Sequence, residues 1–362
     1  MLARRAGQID SSGIRKVFDL AQKLENPVNL SIGQPHFDVP AELKEEAKKW
    51  IDAGFSKYTV TQGTQGLREK LREKYQEEGI EFDEIMITSG VSGGLVLAAM
   101  VLFEEGDEVL IPDPYFVMYK HLVRLMGATP VYVDTYPDFR LRVEQLEGLV
   151  NRRTKALVLN SPCNPTGISL TEEEQKEIAE FAGRNKLLIL FDEIYERFNY
   201  DHPHANIARF HPQTLILHGF SKSHAMTGWR LGFAAGPMEI VSEMIKIQQF
   251  SFVCAPSIAQ KMGLAALDLP PGKEIEDYRR KRDIVYEGLK GKFHIVKPNG
   301  AFYFFPEAPG GDGDEFVRNA IEHNVLIIPG SVFSEKKTHF RLSFAAEDEV
   351  LREGVEILNS IA

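Results

Sequence analysis

Residues 156–195 read ALVLN-SPCNPTG-ISL-TEEEQKEIAEFAGRNK-LLILF-DEIY, and this stretch decides the fold. Two short apolar runs, 156–160 and 187–191, flank a helix expected over 171–185. Thr171 followed by Glu172, Glu173 and Glu174 reads as a helix N-cap with acidic residues in its first turn, where they meet the positive end of the helix dipole. Strands separated by helices of this length imply a mostly parallel sheet covered on both faces. The pattern extends outward in both directions. Further strands are expected at 85–88, 108–111 and 215–218, with helices at 94–103 and 238–250.

The last third changes character at Pro270-Pro271-Gly272. A charged helix is expected over 273–290, then an aromatic run at 301–305, strands at 325–328 and 338–344, and a closing helix at 348–360. The expected fold class is therefore α/β. A large domain, 41–270, carries a mostly parallel central sheet in an α/β/α sandwich, and a smaller, discontinuous α+β domain is built from 1–40 and 271–362. A chain of 362 residues exceeds what one core usually serves.

Hydrophobic residues make up 43% and charged residues 26%, ordinary for a water-soluble globular chain with a core able to bury a cofactor. The net charge of -10 is interspersed, which argues against a nucleic-acid partner. Two cysteines, Cys163 and Cys254, are too few for a disulfide framework or a structural zinc site, so no metal is expected and a cytoplasmic location is. Met1-Leu2-Ala3-Arg4-Arg5 is followed by no apolar stretch and is not read as a signal peptide. No window approaches the ~18 consecutive apolar residues of a membrane span.

Ligands of such sheets sit at the carboxyl ends of the strands. That points to 89–94, 112–116, 160–167, 192–195 and 219–222, where the unusual residues also lie. Lys222 stands just past a strand in Gly219-Phe220-Ser221-Lys222, with Gly228-Trp229-Arg230 behind it. A lysine next to a second cation is discouraged from holding its proton, which suits an amine that attacks a carbonyl, and Arg230 also suits a phosphate. Asp192 is a carboxylate at the mouth of a buried strand and needs a cationic or hydrogen-bonding partner. Ser89-Gly90-Val91-Ser92-Gly93-Gly94 joins a strand to a helix, so its backbone N–H groups can approach an anion. It does not match Gly-x-Gly-x-x-Gly, and no acid ends the next strand, so a dinucleotide reading fails. Arg341, in Phe340-Arg341-Leu342-Ser343-Phe344, is a cation inside an apolar strand and demands an anion. Alone, these residues describe an anion-binding α/β enzyme with a nucleophilic lysine.

Taken together, the motifs resemble those of fold-type I pyridoxal-phosphate (PLP) enzymes, the class I/II aminotransferases that include aspartate, aromatic and alanine aminotransferases. The resemblance runs from about Asn29 to Phe344, with six or more motifs in the family's order. It implies that Lys222 forms a Schiff base with the cofactor and then serves as the base in a ping-pong transfer of an amino group from an L-amino acid to a 2-oxo acid, 2-oxoglutarate by default. Asp192 pairs with the pyridine nitrogen, Tyr195 and Asn164 bind the ring 3′-oxygen, and Phe116 (or Tyr115 beside it) stacks on the ring. Gly90, Val91, Ser92, Ser221 and Arg230 hold the phosphate. Tyr58, in Lys57-Tyr58-(four residues)-Gly63-(two residues)-Gly66-Leu67-Arg68, reaches it from a partner subunit, which implies a homodimer with shared sites.

Arg341 grips the substrate carboxylate in a two-pronged salt bridge, with Gly33 and Asn164 lining that pocket. Cis peptides are expected at Ser161-Pro162 and Asn164-Pro165. Glu193 is read as facing away, and the segment through Tyr303 as structural. Gly219 departs from relatives that carry a phosphate-binding serine, implying weaker cofactor binding or a water in its place. A lysine that some aspartate-specific relatives carry is Ser92 here. Phe18, Phe37 and Phe302 suggest an aromatic or aliphatic donor. The same resemblance also admits a carbon–sulfur β-lyase and a non-catalytic PLP-binding regulator.

Overall fold

The computed structural model describes Gly7, Ile9, Gly13 and residues 24–270 and 272–362. Met1 to Arg5, Phe18 and Pro271 lie outside the described residues. The strands in chain order are β1 Val28–Asn29, β2 Glu84–Thr88, β3 Glu108–Asp113, β4 Thr129–Asp134, β5 Thr154–Asn160, β6 Leu188–Asp192, β7 Thr214–Gly219, β8 Gly232–Gly236, β9 Tyr303–Phe304, β10 Val325–Leu326, β11 Ile328–Pro329 and β12 Phe340–Ser343.

A seven-stranded sheet has the order β2-β8-β7-β6-β5-β3-β4. Its strands run parallel from β7 through β6, β5 and β3 to β4, and β8 runs antiparallel to both β7 and β2. Period-two alternation splits its apolar side chains cleanly. Ile87, Leu157, Leu159, Ile189, Phe191 and Ile216 join one core cluster, against Leu67, Leu71, Ile178 and Met262. Val109, Ala156, Val158, Leu190 and Leu217 face the other way, against Leu95, Leu97, Val123 and Met244. Both faces are thus buried under helices, as nearly continuous apolar strands require. Thr171 caps the helix Glu172–Asn185 reciprocally with Glu174: the Glu174 N–H donates to Thr171 Oγ1 (3.2 Å) and the Thr171 N–H to Glu174 Oε2 (2.8 Å).

The remaining strands form two small sheets, β1-β10 and β11-β12-β9. They share a core with the helices Glu274–Leu289 and Asp348–Ser360, around Tyr278, Phe302, Phe304, Leu342 and Leu351. The run expected as one strand over 325–328 is broken at Ile327. Its halves pair with different strands, β10 with β1 and β11 with β12. The 301–305 run contributes only Tyr303–Phe304 as strand.

Candidate active site

Five loops at the carboxyl edge of the large sheet meet the segment after β1 around a cavity of about 320 Å³. Gly33, Val91, Ser92, Phe116, Asn164, Asp192, Tyr195, Ser221, Lys222, Arg230 and Arg341 all line it. Residues more than 300 positions apart in the chain therefore converge. Tyr58 does not reach this cavity: its side chain is 84% exposed on the isolated chain. Tyr115 turns away, donating to Glu335 (2.6 Å) and stacking on Tyr132, so Phe116 is the aromatic that faces the cavity.

Lys222 follows β7. Its Nζ donates to the Gly33 carbonyl (2.5 Å) and lies 5.8 Å from the Tyr195 ring centre. Burial, with the positive charges of Arg341 and Arg230, pulls its pKa down to about 8. Asp192 ends β6 and is buried. Burial pushes its carboxyl up to about 6, against two hydrogen bonds that hold it down: Tyr119 Oη donates to Oδ2 (2.8 Å) and the Ile194 N–H to Oδ1 (3.1 Å). Asn160 fixes the neighbouring turn, donating to the Asp192 carbonyl (2.8 Å) and accepting from the Asn164 N–H (2.8 Å).

Arg341 is fully buried in β12, yet it pairs with no carboxylate among the described residues. It donates to Asn164 Oδ1 (3.0 Å) and the Ser31 carbonyl (2.8 Å), and its Nε has no partner. Its guanidinium sits between the rings of Tyr303 and Phe333, 4.6 Å from each centre. A buried cation with a free donor costs several kcal/mol unless an anion arrives. The residue is built to receive one.

At the other end of the cavity the helix Gly90–Leu102 begins without a side-chain cap, leaving its first N–H groups for a ligand. Gly90 has φ +71°, and a Cβ there would lie 2.7 Å from Arg230 Nη2. Arg230 itself takes φ +55° and bonds the Thr227 carbonyl (2.9 Å). Gly219 is dictated by close packing: a Cβ would come within 2.7 Å of the Leu231 carbonyl and 2.8 Å of Gly232 Cα. A serine at 219 has no room at this strand spacing. Among the described residues the site thus brings together a buried arginine without a carboxylate partner, a glycine-lined helix start beside a second arginine, a buried acid and a lysine with depressed proton affinity. These donors suit pyridoxal phosphate and an amino acid.

The comparisons with known proteins agree. The family model for aminotransferase class I and II matches residues 25–358. The chain belongs to this family. Over its full length it is 37% identical to a probable aspartate aminotransferase of Methanocaldococcus jannaschii, covering 100% of both chains. It is 38% identical to aromatic-amino-acid aminotransferase 2 of Thermococcus litoralis, covering 99% of this chain and 98% of the other. The solved structure of Thermus thermophilus aspartate aminotransferase with maleate superposes with a TM-score of 0.95 at 34% identity, covering 100% of both chains. The protein is a PLP-dependent aminotransferase of fold type I.

Ser161-Pro162 is cis as expected, but Asn164-Pro165 is trans; the other cis bonds among the described residues are Asp113-Pro114 and Tyr136-Pro137. The turn at 163–167 reverses instead through Gly167, at φ +72°, whose N–H donates to the Cys163 carbonyl (2.8 Å). Glu193 does face away: it accepts from Tyr75 (2.5 Å) and Asn206 (2.8 Å) and lies 2.8 Å from His204. Sequence reasoning missed Tyr119 on Asp192 and Tyr303 on Tyr195 and Arg341. Only a fold brings each pair together, and an aromatic in an apolar run reads as core. No helix among the described residues is long and apolar enough to cross a membrane.

Proposed function

We propose that this aminotransferase moves the amino group of an L-amino acid to a 2-oxo acid, 2-oxoglutarate by default, in a ping-pong cycle that uses the residues lining the cavity. When bound, pyridoxal phosphate supplies an aldehyde that takes the amino group and a ring that accepts the electron pair left at Cα. The chain's own groups do the rest. Gly90, Val91, Ser92, Ser221 and Arg230 hold the phosphate, together with Tyr58 of the partner subunit. Phe116 lies against the ring, Asn164 and Tyr195 bind its 3′-oxygen, and Asp192 keeps its nitrogen protonated. Arg341 takes the substrate carboxylate in two parallel hydrogen bonds, oriented by Asn164, with Gly33 leaving room. Lys222 carries the cofactor at rest and moves the proton at Cα, a task for which a pKa of about 8 keeps part of the amine neutral.

The observation that carries this reading is the buried Arg341 guanidinium without a counter-ion among the described residues, across one cavity from Lys222 and Asp192. Homodimer formation is part of the proposal. It is supported by exposed apolar side chains at Phe250 (88%), Val60 and Tyr58. The division into 41–270 and 1–40 with 271–362 is likewise proposed, supported by the pairing of β1 with β10 and by Val28 and Leu30 in the second core. A cytoplasmic location is part of the proposal, in keeping with a chain that carries only two cysteines, Cys163 and Cys254. Relatives named for acidic and for aromatic donors match at nearly equal identity, so similarity does not select the donor.

The test is a panel of amino donors with and without 2-oxoglutarate, on protein whose yellow band is removed by borohydride. Amino transfer that requires the 2-oxo acid is expected. Release of pyruvate and ammonia without an acceptor would replace the transferase with a β-lyase. A colourless protein that takes up no coenzyme would end the reading.

A further inference from the structure

Tyr303 belongs to a strand read from the sequence as structural, and the fold places it between the two halves of the site. The β9–β12 register sets Tyr303 opposite Ser343, two residues from Arg341, so Tyr303 and Arg341 project from the same face. Its ring lies under the Arg341 guanidinium at 4.6 Å. Its hydroxyl is 2.8 Å from the hydroxyl of Tyr195, and both side chains are buried. A Cβ at residue 33 would come within 2.8 Å of the Tyr303 hydroxyl, so glycine there keeps the place open for it.

We propose that Tyr303 is a positioning residue whose hydroxyl donates to Tyr195 and whose ring supports Arg341, so that one side chain sets both the tyrosine facing the cofactor and the cation facing the substrate carboxylate. Two hydroxyls in contact share one proton along their line. Burial raises the pKa of both hydroxyls, that of Tyr195 further than that of Tyr303, whose ring lies against the Arg341 charge, and this makes Tyr303 the better donor. Tyr195 then accepts from Tyr303 and keeps its own proton for the 3′-oxygen. A donor that is itself hydrogen-bonded gives a stronger bond. With the coenzyme bound through Lys222, a stronger bond to its 3′-oxygen would stabilise the negative charge of that oxygen and so ease loss of the proton whose titration changes the visible absorption. Loss of the Tyr303 hydroxyl therefore raises the pH at which the cofactor's visible absorption titrates.

This inference rests on the proposed roles of Lys222 and Tyr195. The experiment is a spectrophotometric pH titration of PLP-loaded wild-type protein and Tyr303→Phe. Tyr303→Phe keeps the ring under Arg341 and removes only the hydroxyl. An upward shift of about half to one pH unit is expected, the size of one hydrogen bond, with kcat lowered several-fold and the amino-acid KM within about twofold. In a Tyr195→Phe background the same substitution should add no further shift. Gly33→Ala, which crowds the hydroxyl without deleting it, should move the midpoint upward too and serves if Tyr303→Phe does not fold. A midpoint that stays put or falls in the folded variants overturns the role of Tyr303 while leaving the aminotransferase reading intact. Wild-type protein with no band that borohydride removes overturns that reading instead.

Discussion

Replacing Lys222 with methionine should make the cofactor-free protein more stable at neutral pH, although it removes the residue proposed as the base. The ammonium is held among Arg341, Arg230 and a buried wall, and its pKa falls from an ordinary 10.5 to about 8. That gap of about 2.5 pH units amounts to roughly 3 kcal/mol of strain on the charged form, at ~1.36 kcal/mol per pH unit. Methionine keeps an unbranched chain of similar size but loses the bond to the Gly33 carbonyl, which offsets about 1 kcal/mol. The net gain is roughly 2 kcal/mol below pH 8.

The sign of the pH dependence follows from linkage. Between about pH 8 and 10.5 the unfolded lysine still holds the proton that the folded one has lost, so wild-type stability climbs with pH there. The advantage of Lys222→Met should shrink across that window and reverse by its upper end, where only the missing hydrogen bond remains. Urea unfolding of both cofactor-free proteins at several pH values from 6.5 to 10.5 measures this directly. A variant less stable than wild type at pH 7, or a difference that does not change with pH, would refute the reasoning about the lysine's surroundings.

Arg341→Lys keeps the charge but loses the planar fork, and kcat/KM for amino donors should drop about 10- to 150-fold, the loss of one charge-assisted bond, while coenzyme affinity is unchanged; a drop of less than threefold would remove Arg341 from the carboxylate site. Gly90→Ala forces a side chain into a left-handed backbone and against Arg230, so the Kd for PLP, read by absorbance titration, should rise tenfold or more. For Asp192, held at about 6 by burial, the carboxylate is lost as pH falls through that value, so coenzyme affinity of the wild-type apoprotein should weaken below pH 6. In Asp192→Asn affinity should be weaker throughout and flat across that range; a matching wild-type slope in the variant would assign the titration elsewhere.

The parts of the fold legible in the sequence were those whose signal is local. β5 and β6 are runs of Leu, Val, Ile and Phe separated by a capped helix, and the structure reproduces both within two residues at each end. β4 and β8 carry no such signal. Thr129–Asp134 contains Pro130, which demotes a strand to an edge, and an edge is where β4 lies. Gly232–Gly236 is glycine and alanine with one phenylalanine, yet it lies in the interior of the sheet. Its small residues answer a demand from neighbours, because a Cβ at Gly232 would lie 2.7 Å from the Gly90 carbonyl carbon.

The site divides the same way. Lys222, Asp192, Asn164 and Arg341 stand out because each is an expensive group at a strand end or inside an apolar strand. Tyr119 and Tyr303 do not, because their partners lie 73 and 108 positions away in the chain.

The glycine packing around residues 90, 219 and 232 also limits what redesign can achieve. An engineer wishing to tighten coenzyme retention would reach first for a hydroxyl at position 219, and the backbone of the adjoining antiparallel strand already occupies that volume. Any gain must come from residues that line the cavity without being locked in that strand packing, such as Ser92 and Thr227.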